Sequence, residues 1–357
     1  MRKERVELAI NIEEAGCVTE CWVFNRLAIV RTSKYYEDWI ASHYPLYADS
    51  DLNFFFGETS SLLPSYHDLI LDRKQIHLFT LNQDSIVEKA KEMLADGYYL
   101  IMATKIPIEI EFYHEVLLYG FDDVKECFLT VDIQDRLFRP TVYSYSYVRN
   151  TFSEVLHHYR ENECMGMGNA IYYQFPITAM RINKNYTPEN CPFEAYLKLD
   201  DEWHGVCHRK SGLQDLERQN NFERIYRGLS CLYALKKLLK REIAGEPFPE
   251  SFRGVSYAVK KISEHHNFML ISMKYLKNKW GTVMNEMADA CICRYENCVI
   301  KSKRWMNIVL KYEQTKDIEL LNKIVLEIPT TYEEEYDILD IFLHKSINWI
   351  EFNEKYI

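Results

Sequence analysis

Cys17, His114 and Asp132 are the residues whose types and spacing best suit chemistry. Cys17 heads an apolar segment. His114 and Asp132 close the two ends of a stretch in which Val116 to Tyr119 and Phe128 to Val131 are apolar runs. Gly120, Asp122, Asp123 and Lys125 lie between those runs. Turn formers between short β-prone runs predict an antiparallel pair. With the turn centred on Asp123, His114 and Asp132 are equidistant from it, face each other and share one side of the sheet. A thiol facing that imidazole completes a Cys-His-Asp arrangement. The imidazole activates the nucleophile and the carboxylate fixes the imidazole.

A nucleophilic cysteine gains most at the start of a helix, where unpaired backbone N–H groups lower the thiol pKa and can bind an oxyanion. Gly16-Cys17-Val-Thr-Glu fits such a start, and so does Thr19-Glu-Cys21-Trp22-Val-Phe24. Cys21 follows Cys17 by one helical turn, where a small residue typically packs inward, so Cys17 is the favoured nucleophile and Cys21 the alternative. Each piece alone also has a bland reading. A cysteine ahead of a helix is usually just buried, a strand histidine is usually satisfied, and an aspartate can cap a strand end. The joint spacing selects the catalytic reading.

Gly16-Cys17-Val-Thr-Glu-Cys21 followed by Asn25-Arg-Leu27 resembles the opening of the papain-fold domain in butirosin-type acyltransferases. Asp96-Gly97-Tyr-Tyr-Leu-Ile-Met, His114-Glu-Val-Leu-Leu-Tyr-Gly120-Phe-Asp-Asp123 and Phe128-Leu-Thr-Val-Asp132 resemble the rest of that domain, over residues 8–180. The histidine run also recurs in bacteriocin-processing cysteine peptidases, and the Cys21-Trp22-x-Phe24 stretch is similar to plant and lysosomal ones. The resemblance implies a papain-like fold, in which a Cys-bearing helix packs on an antiparallel sheet. It also implies an oxyanion donor six residues before the nucleophile. That offset from Cys17 holds Asn11 in place of the family's Gln, and the same offset from Cys21 holds Ala15.

Stand-alone members with a helical carboxy-terminal half resemble the acyltransferases and amide synthetases of nonribosomal-peptide-like and antibiotic assembly. Among these are enzymes that condense carrier-bound acyl chains with a diamine, as in closthioamide biosynthesis. The activity implied is transfer of an acyl group from a carrier-protein thioester, through a Cys17 acyl-enzyme, to a small amine. No cofactor is held by the protein itself, because the substrate arrives on the carrier's phosphopantetheine. The alternatives are a cysteine peptidase or amidase running on the same triad, and a non-catalytic scaffold that binds carriers.

The elements that must position these residues divide the chain. Residues 1–185 read as a papain-like catalytic domain of mixed helix and strand. Cys17 to Val30 and Ser85 to Ala95 are its helices, and Tyr98 to Ala103, the His114 hairpin and Ala170 to Ile182 its strands. Tyr186 to Pro192 reads as a linker. Residues 186–357 are predicted to be helical and to cover the active site, with helices over Leu213–Ile243, Ser256–Lys279, Thr282–Glu313, Ile318–Leu326 and Thr331–Ile350. The fold class expected is therefore α+β.

Composition narrows the rest. The 357 residues are 47% hydrophobic and 27% charged, as in ordinary globular proteins. A net charge of -10 without a long Lys/Arg cluster argues against nucleic acid. No apolar run approaches the ~18 residues of a membrane span, and no signal core follows Met1, so a cytoplasmic protein is expected, with a homo-oligomer allowed. The ten cysteines then read as reduced thiols. Cys291, Cys293 and Cys298 lack metal-ligand spacing. His265-His266 reads as part of a solvated helix face, and Tyr143, Tyr145 and Tyr147 alternate as a packed strand face would. Asn162 to Gly168 lacks a phosphate-binding pattern.

Overall fold

The computed structural model describes residues 4–12, 21–56, 70–74, 83–105, 113–134, 137–161, 177–205, 226–249 and 254–356. In chain order its first elements are β1 (Arg5–Glu7), α1 (Cys21–Val30), α2 (Tyr36–Ser42), β2 (Leu46–Ala48), β3 (Phe54–Phe56), β4 (Leu71–Lys74), α3 (Ile86–Ala95), β5 (Tyr99–Lys105), β6 (Tyr113–Asp122), β7 (Cys127–Gln134), β8 (Leu137–Ser144), α4 (Tyr145–Glu161) and β9 (Ile177–Ile182). There follow α5 (Cys191–His204), β10 (Tyr226–Arg227), α6 (Cys231–Ile243), α7 (Val255–Lys279), α8 (Met287–Thr315), α9 (Ile318–Asp340) and α10 (Trp349–Tyr356). The protein is α+β, with antiparallel sheet in its amino-terminal half and mostly helix beyond. None of the described helices is long and apolar enough to cross a membrane.

Two compact units make up the chain, 1–36 with 61–187 and 37–60 with 188–357. This differs from a single cut after residue 185, because the excursion 37–60 belongs with the carboxy-terminal residues. The first unit is built on a seven-stranded sheet in the order β4-β9-β5-β6-β7-β8, with β1 added beside β6. Every pairing in it is antiparallel. Alternation then gives each strand two faces. On one face Leu100 and Met102 of β5, Val116 and Leu118 of β6 and Phe128 of β7 form a core with Ile86, Ala90 and Leu94 of α3 and Val148 and Phe152 of α4.

α1 lies on the other face. Its Phe24 stacks on Phe138 of β8, with ring centroids 3.8 Å apart, and its Arg26 pairs with Glu115 of β6. Phe138 stands opposite Ile133, and Glu115 alternates with Val116, so both belong to that second face.

The turn between β6 and β7 is not centred on Asp123. Asp122 and Cys127 are the last pair, which leaves Asp123 to Glu126 as the loop. An Asp122 carboxylate oxygen accepts from the backbone N–H groups of Val124 and Lys125, at 3.1 Å each. Such an Asx turn moves the reversal past Asp123, and Glu126 takes the left-handed conformation, φ 48°, to close it. A bulge between Leu118 and Gly120 then slips the ladder again, so that Leu117 pairs with Val131. His114 and Asp132 are therefore not directly opposite. Continuing the register puts Asp132 across from Val116, and position 114 two residues further along β6.

The second unit joins a three-stranded antiparallel sheet, β10-β2-β3, to the helices. α7 is its central helix, buried along most of its length, with polar side chains as well as apolar ones turned inward. α9 runs unbroken through Pro329, where the sequence predicts a break. Ile324, Val325, Ile328, Thr331 and Ile338 are all buried along it, and this packing outweighs the cost of the proline. Of the three alternating tyrosines only Tyr143 is in a strand, since Tyr145 and Tyr147 open α4.

Candidate active site

The bulge decides whether the hairpin can carry a His-Asp pair. At the turn, the pairs Asp122 with Cys127 and Phe121 with Phe128 would put positions 114 and 132 on opposite faces if continued unbroken. The extra residue in β6 restores their parity. Position 114, directly opposite Thr104 of β5, thus shares a sheet face with Val116, Thr104 and Asp132. Of His114 the structure describes the backbone only.

Asp132 itself is well defined. Its carboxylate is buried. One oxygen accepts from the backbone N–H of Ile133 at 2.7 Å, and the other from the Tyr143 hydroxyl. Burial pushes the Tyr143 phenol well above its ordinary pKa, and the neighbouring Asp132 pushes it further, so the phenol stays a donor. Two more hydroxyls, those of Thr104 and Thr130, are buried on this face without a hydrogen-bond partner among the described residues. The polar end of the sheet face therefore comprises Thr104, Thr130, Asp132, Tyr143 and position 114.

α1 approaches from the other side. Asn25, fully buried, donates to the Glu115 carbonyl at 3.2 Å. Arg26 meets the Glu115 carboxylate at 2.9 Å and 3.5 Å through two nitrogens. This buried clamp grips the residue next to His114 and fixes α1 against the entry to β6. Cys21 is half-buried in the first turn of α1, one turn before Asn25, and so belongs to a helix packed on the sheet face opposite to that of position 114 and Asp132. Cys17 lies outside the described residues.

Asn11 is exposed, and its backbone N–H donates to the Ala28 carbonyl at 3.2 Å. That places it beside the last turn of α1, about 10 Å along the axis from Cys21 at the helical rise. The oxyanion role expected of Asn11 is toward Cys17, which lies outside the described residues, while the helix start offers backbone N–H groups nearer to Cys21.

Tyr143 and the Arg26–Glu115 clamp are absent from the sequence expectation. Tyr143 reads there as packing, and the clamp's two halves stand far apart in the chain.

The histidine pair of the second unit also differs from its expectation. His265 is 3% and His266 1% exposed. Their Nε2 atoms meet Glu202 at 3.0 Å and Glu335 at 3.1 Å, in two buried contacts. Gly228 admits this arrangement, because a Cβ there would stand 2.3 Å from the Glu202 backbone. Four thiols are pushed above their ordinary pKa, chiefly by burial: Cys127, Cys231, Cys291 and Cys298. They are poor nucleophiles.

No protein-family model matches the chain, and no curated protein matches its sequence.

Proposed function

We propose that the protein is a cysteine acyltransferase that forms an amide from a carrier-borne thioester and a small amine, with Cys17, His114 and Asp132 as its triad. The observation that carries this reading is the β6–β7 bulge. It returns position 114 and the buried, doubly hydrogen-bonded Asp132 carboxylate to one sheet face, which supports the His-Asp half of the triad, while the Arg26–Glu115 pair holds α1 against the opposite face of the same strand.

In the first half-reaction the Cys17 thiolate attacks the thioester carbonyl. The new C–S bond forms as the carrier's C–S bond breaks, and the departing pantetheine thiolate takes a proton from the His114 imidazolium. In the second, the amine attacks the acyl-enzyme and His114 takes its proton. The amide leaves and the Cys17 thiolate is regenerated. Asp132 orients the imidazole and stabilises its charged form. A thioester donor already carries the activation that amide formation needs, so no nucleotide is required.

Intact-protein mass spectrometry after addition of an acyl thioester tests this directly. Cys17→Ala should abolish the acyl adduct, and Cys21→Ala should leave it. The reverse result transfers the nucleophile to Cys21. With a saturating amine, amide should outpace free acid. Dominant free acid with every amine would make the protein a hydrolase, and no adduct at all would leave the scaffold reading.

A further inference from the structure

α6 carries a charge pattern left largely unpaired by the described residues of its unit. Its inner face, Cys231, Leu232, Ala234, Leu235, Leu238 and Leu239, is buried. Its outer face presents Tyr233, Lys236, Lys237, Lys240 and Arg241, which with Glu246 line a groove of about 580 Å³. Tyr233, at the head of the stripe, is 45% exposed.

Arg241 is accounted for, since it pairs with Glu246 at 3.3 Å and donates to the Pro247 carbonyl at 2.7 Å. Lys236, Lys237 and Lys240 have no ion-pair or hydrogen-bond partner among the described residues. The helix dipole explains cations in the last turn, Lys240 and Arg241, but not the two before them. Like charges one turn apart, Lys236 with Lys240 and Lys237 with Arg241, oppose the helix by about 0.2–0.5 kcal/mol per pair. This concentration of positive charge stands in a chain whose net charge is -10.

We propose that the outer face of α6 is a docking surface for an acidic helix face of the acyl-carrier protein, an inference that rests on the acyl-transfer reading above. Carboxylates at helical spacing would match cations at positions i, i+1, i+4 and i+5, and Tyr233 would anchor one end of the contact. The stripe spans little more than one turn between Lys236 and Arg241. A nucleic-acid backbone would need a longer basic track, and the acidic remainder of the chain would repel it.

The test is a titration of fluorescent holo-acyl carrier protein into the full-length protein, read by anisotropy. The charge-reversed variant K236E/K237E/K240E is compared with K303E/K311E/K323E, which makes the same charge change at exposed lysines elsewhere on the helical half. The α6 variant should weaken binding by on the order of tenfold or more and flatten its salt dependence, while the control variant binds as the parent does. In the transfer assay the α6 variant should raise KM for the carrier-borne donor and leave the rate with an acyl-pantetheine thioester unchanged. Equal binding by both variants, or no carrier binding by the parent, overturns the proposal. So does binding of a single-stranded oligonucleotide through the stripe in place of the carrier. Carrier binding lost only in the α6 variant, with no acyl-enzyme from either donor, would uphold the docking surface and sink the catalytic reading.

Discussion

Tyr143 donates its hydroxyl hydrogen to a carboxylate that is already buried, and this dictates how the residue should behave. Removing the hydroxyl leaves Asp132 with one donor fewer, so Tyr143→Phe should cost about 1–3 kcal/mol of stability at neutral pH. The pH dependence has a definite sign. The native phenol's pKa is raised above its ordinary 10.0, by burial first and by Asp132 next. Below pH 10 both folded and unfolded states keep the proton, and the contribution is present in full. Above pH 10 the unfolded chain ionises first, and stability is lost as pH climbs toward the raised native value. Urea denaturation of the parent should therefore show a decline above pH 10 that is shallower in Tyr143→Phe. An unchanged decline would mean that other tyrosines, such as the similarly raised Tyr145, account for it. None of this is legible in the sequence, because Tyr143 and Asp132 meet only through the β7–β8 register.

At the scale of elements, the β6–β7 hairpin shows what sequence can and cannot fix. The apolar runs at Val116 to Tyr119 and Phe128 to Val131 announce two strands, and both are present. Their register depends on two local events that no periodicity records, the Asx turn at Asp122 and the extra residue beside Gly120. Gly120 is the point where the bulge can be tested. A Cβ there would stand 2.4 Å from the Val6 carbonyl oxygen of β1 and 3.0 Å from the Leu129 side chain. The backbone oxygen cannot move aside cheaply, so Gly120→Ala should cost about 1–3 kcal/mol by overpacking. It should also disturb the parity of positions 114 and 132. Thermal melts and acyl-adduct yield, measured together, should both fall. A variant as stable as the parent would show that β1 yields freely.

The helices of the carboxy-terminal half are plainer to read, since α7 and α8 lie close to the stretches their periodicity predicts. What periodicity conceals there is the polar interior. His265 and His266 look solvated because Ser263 and Glu264 adjoin them, yet α7 is surrounded and buries all four.

The division of the whole molecule is the feature least visible in sequence, because the excursion 37–60 is short and carries no linker signal. Its attachment to the second unit is specific. The Leu46 N–H donates to Glu202 of α5 at 3.1 Å, and the Tyr275 hydroxyl of α7 donates to Asp38 at 2.7 Å. Ser272 of α7 donates to the Ala41 carbonyl at 2.6 Å. β2 also supplies the only strand neighbour of β10 among the described residues. Trp39, Leu46, Tyr47, Phe54 and Phe56 are buried in consequence. Cutting the gene at the apparent boundary should therefore fail in a particular way. Fragment 188–357 would lose the Leu46 N–H that donates to Glu202, the Ala41 carbonyl that accepts from Ser272 and the strand neighbour of β10, and each lost hydrogen bond costs about 0.5–1.5 kcal/mol. Fragment 1–187 would carry those five apolar side chains with nothing to bury them, an aggregation hazard. Expressed separately, both pieces should be poorly soluble or lack a cooperative melt. Expressed together, they should co-purify, because the second piece can recover 37–60 from the first. If fragment 188–357 alone melts cooperatively near the temperature of the intact protein, the excursion is an ornament of the helical unit and not part of its core.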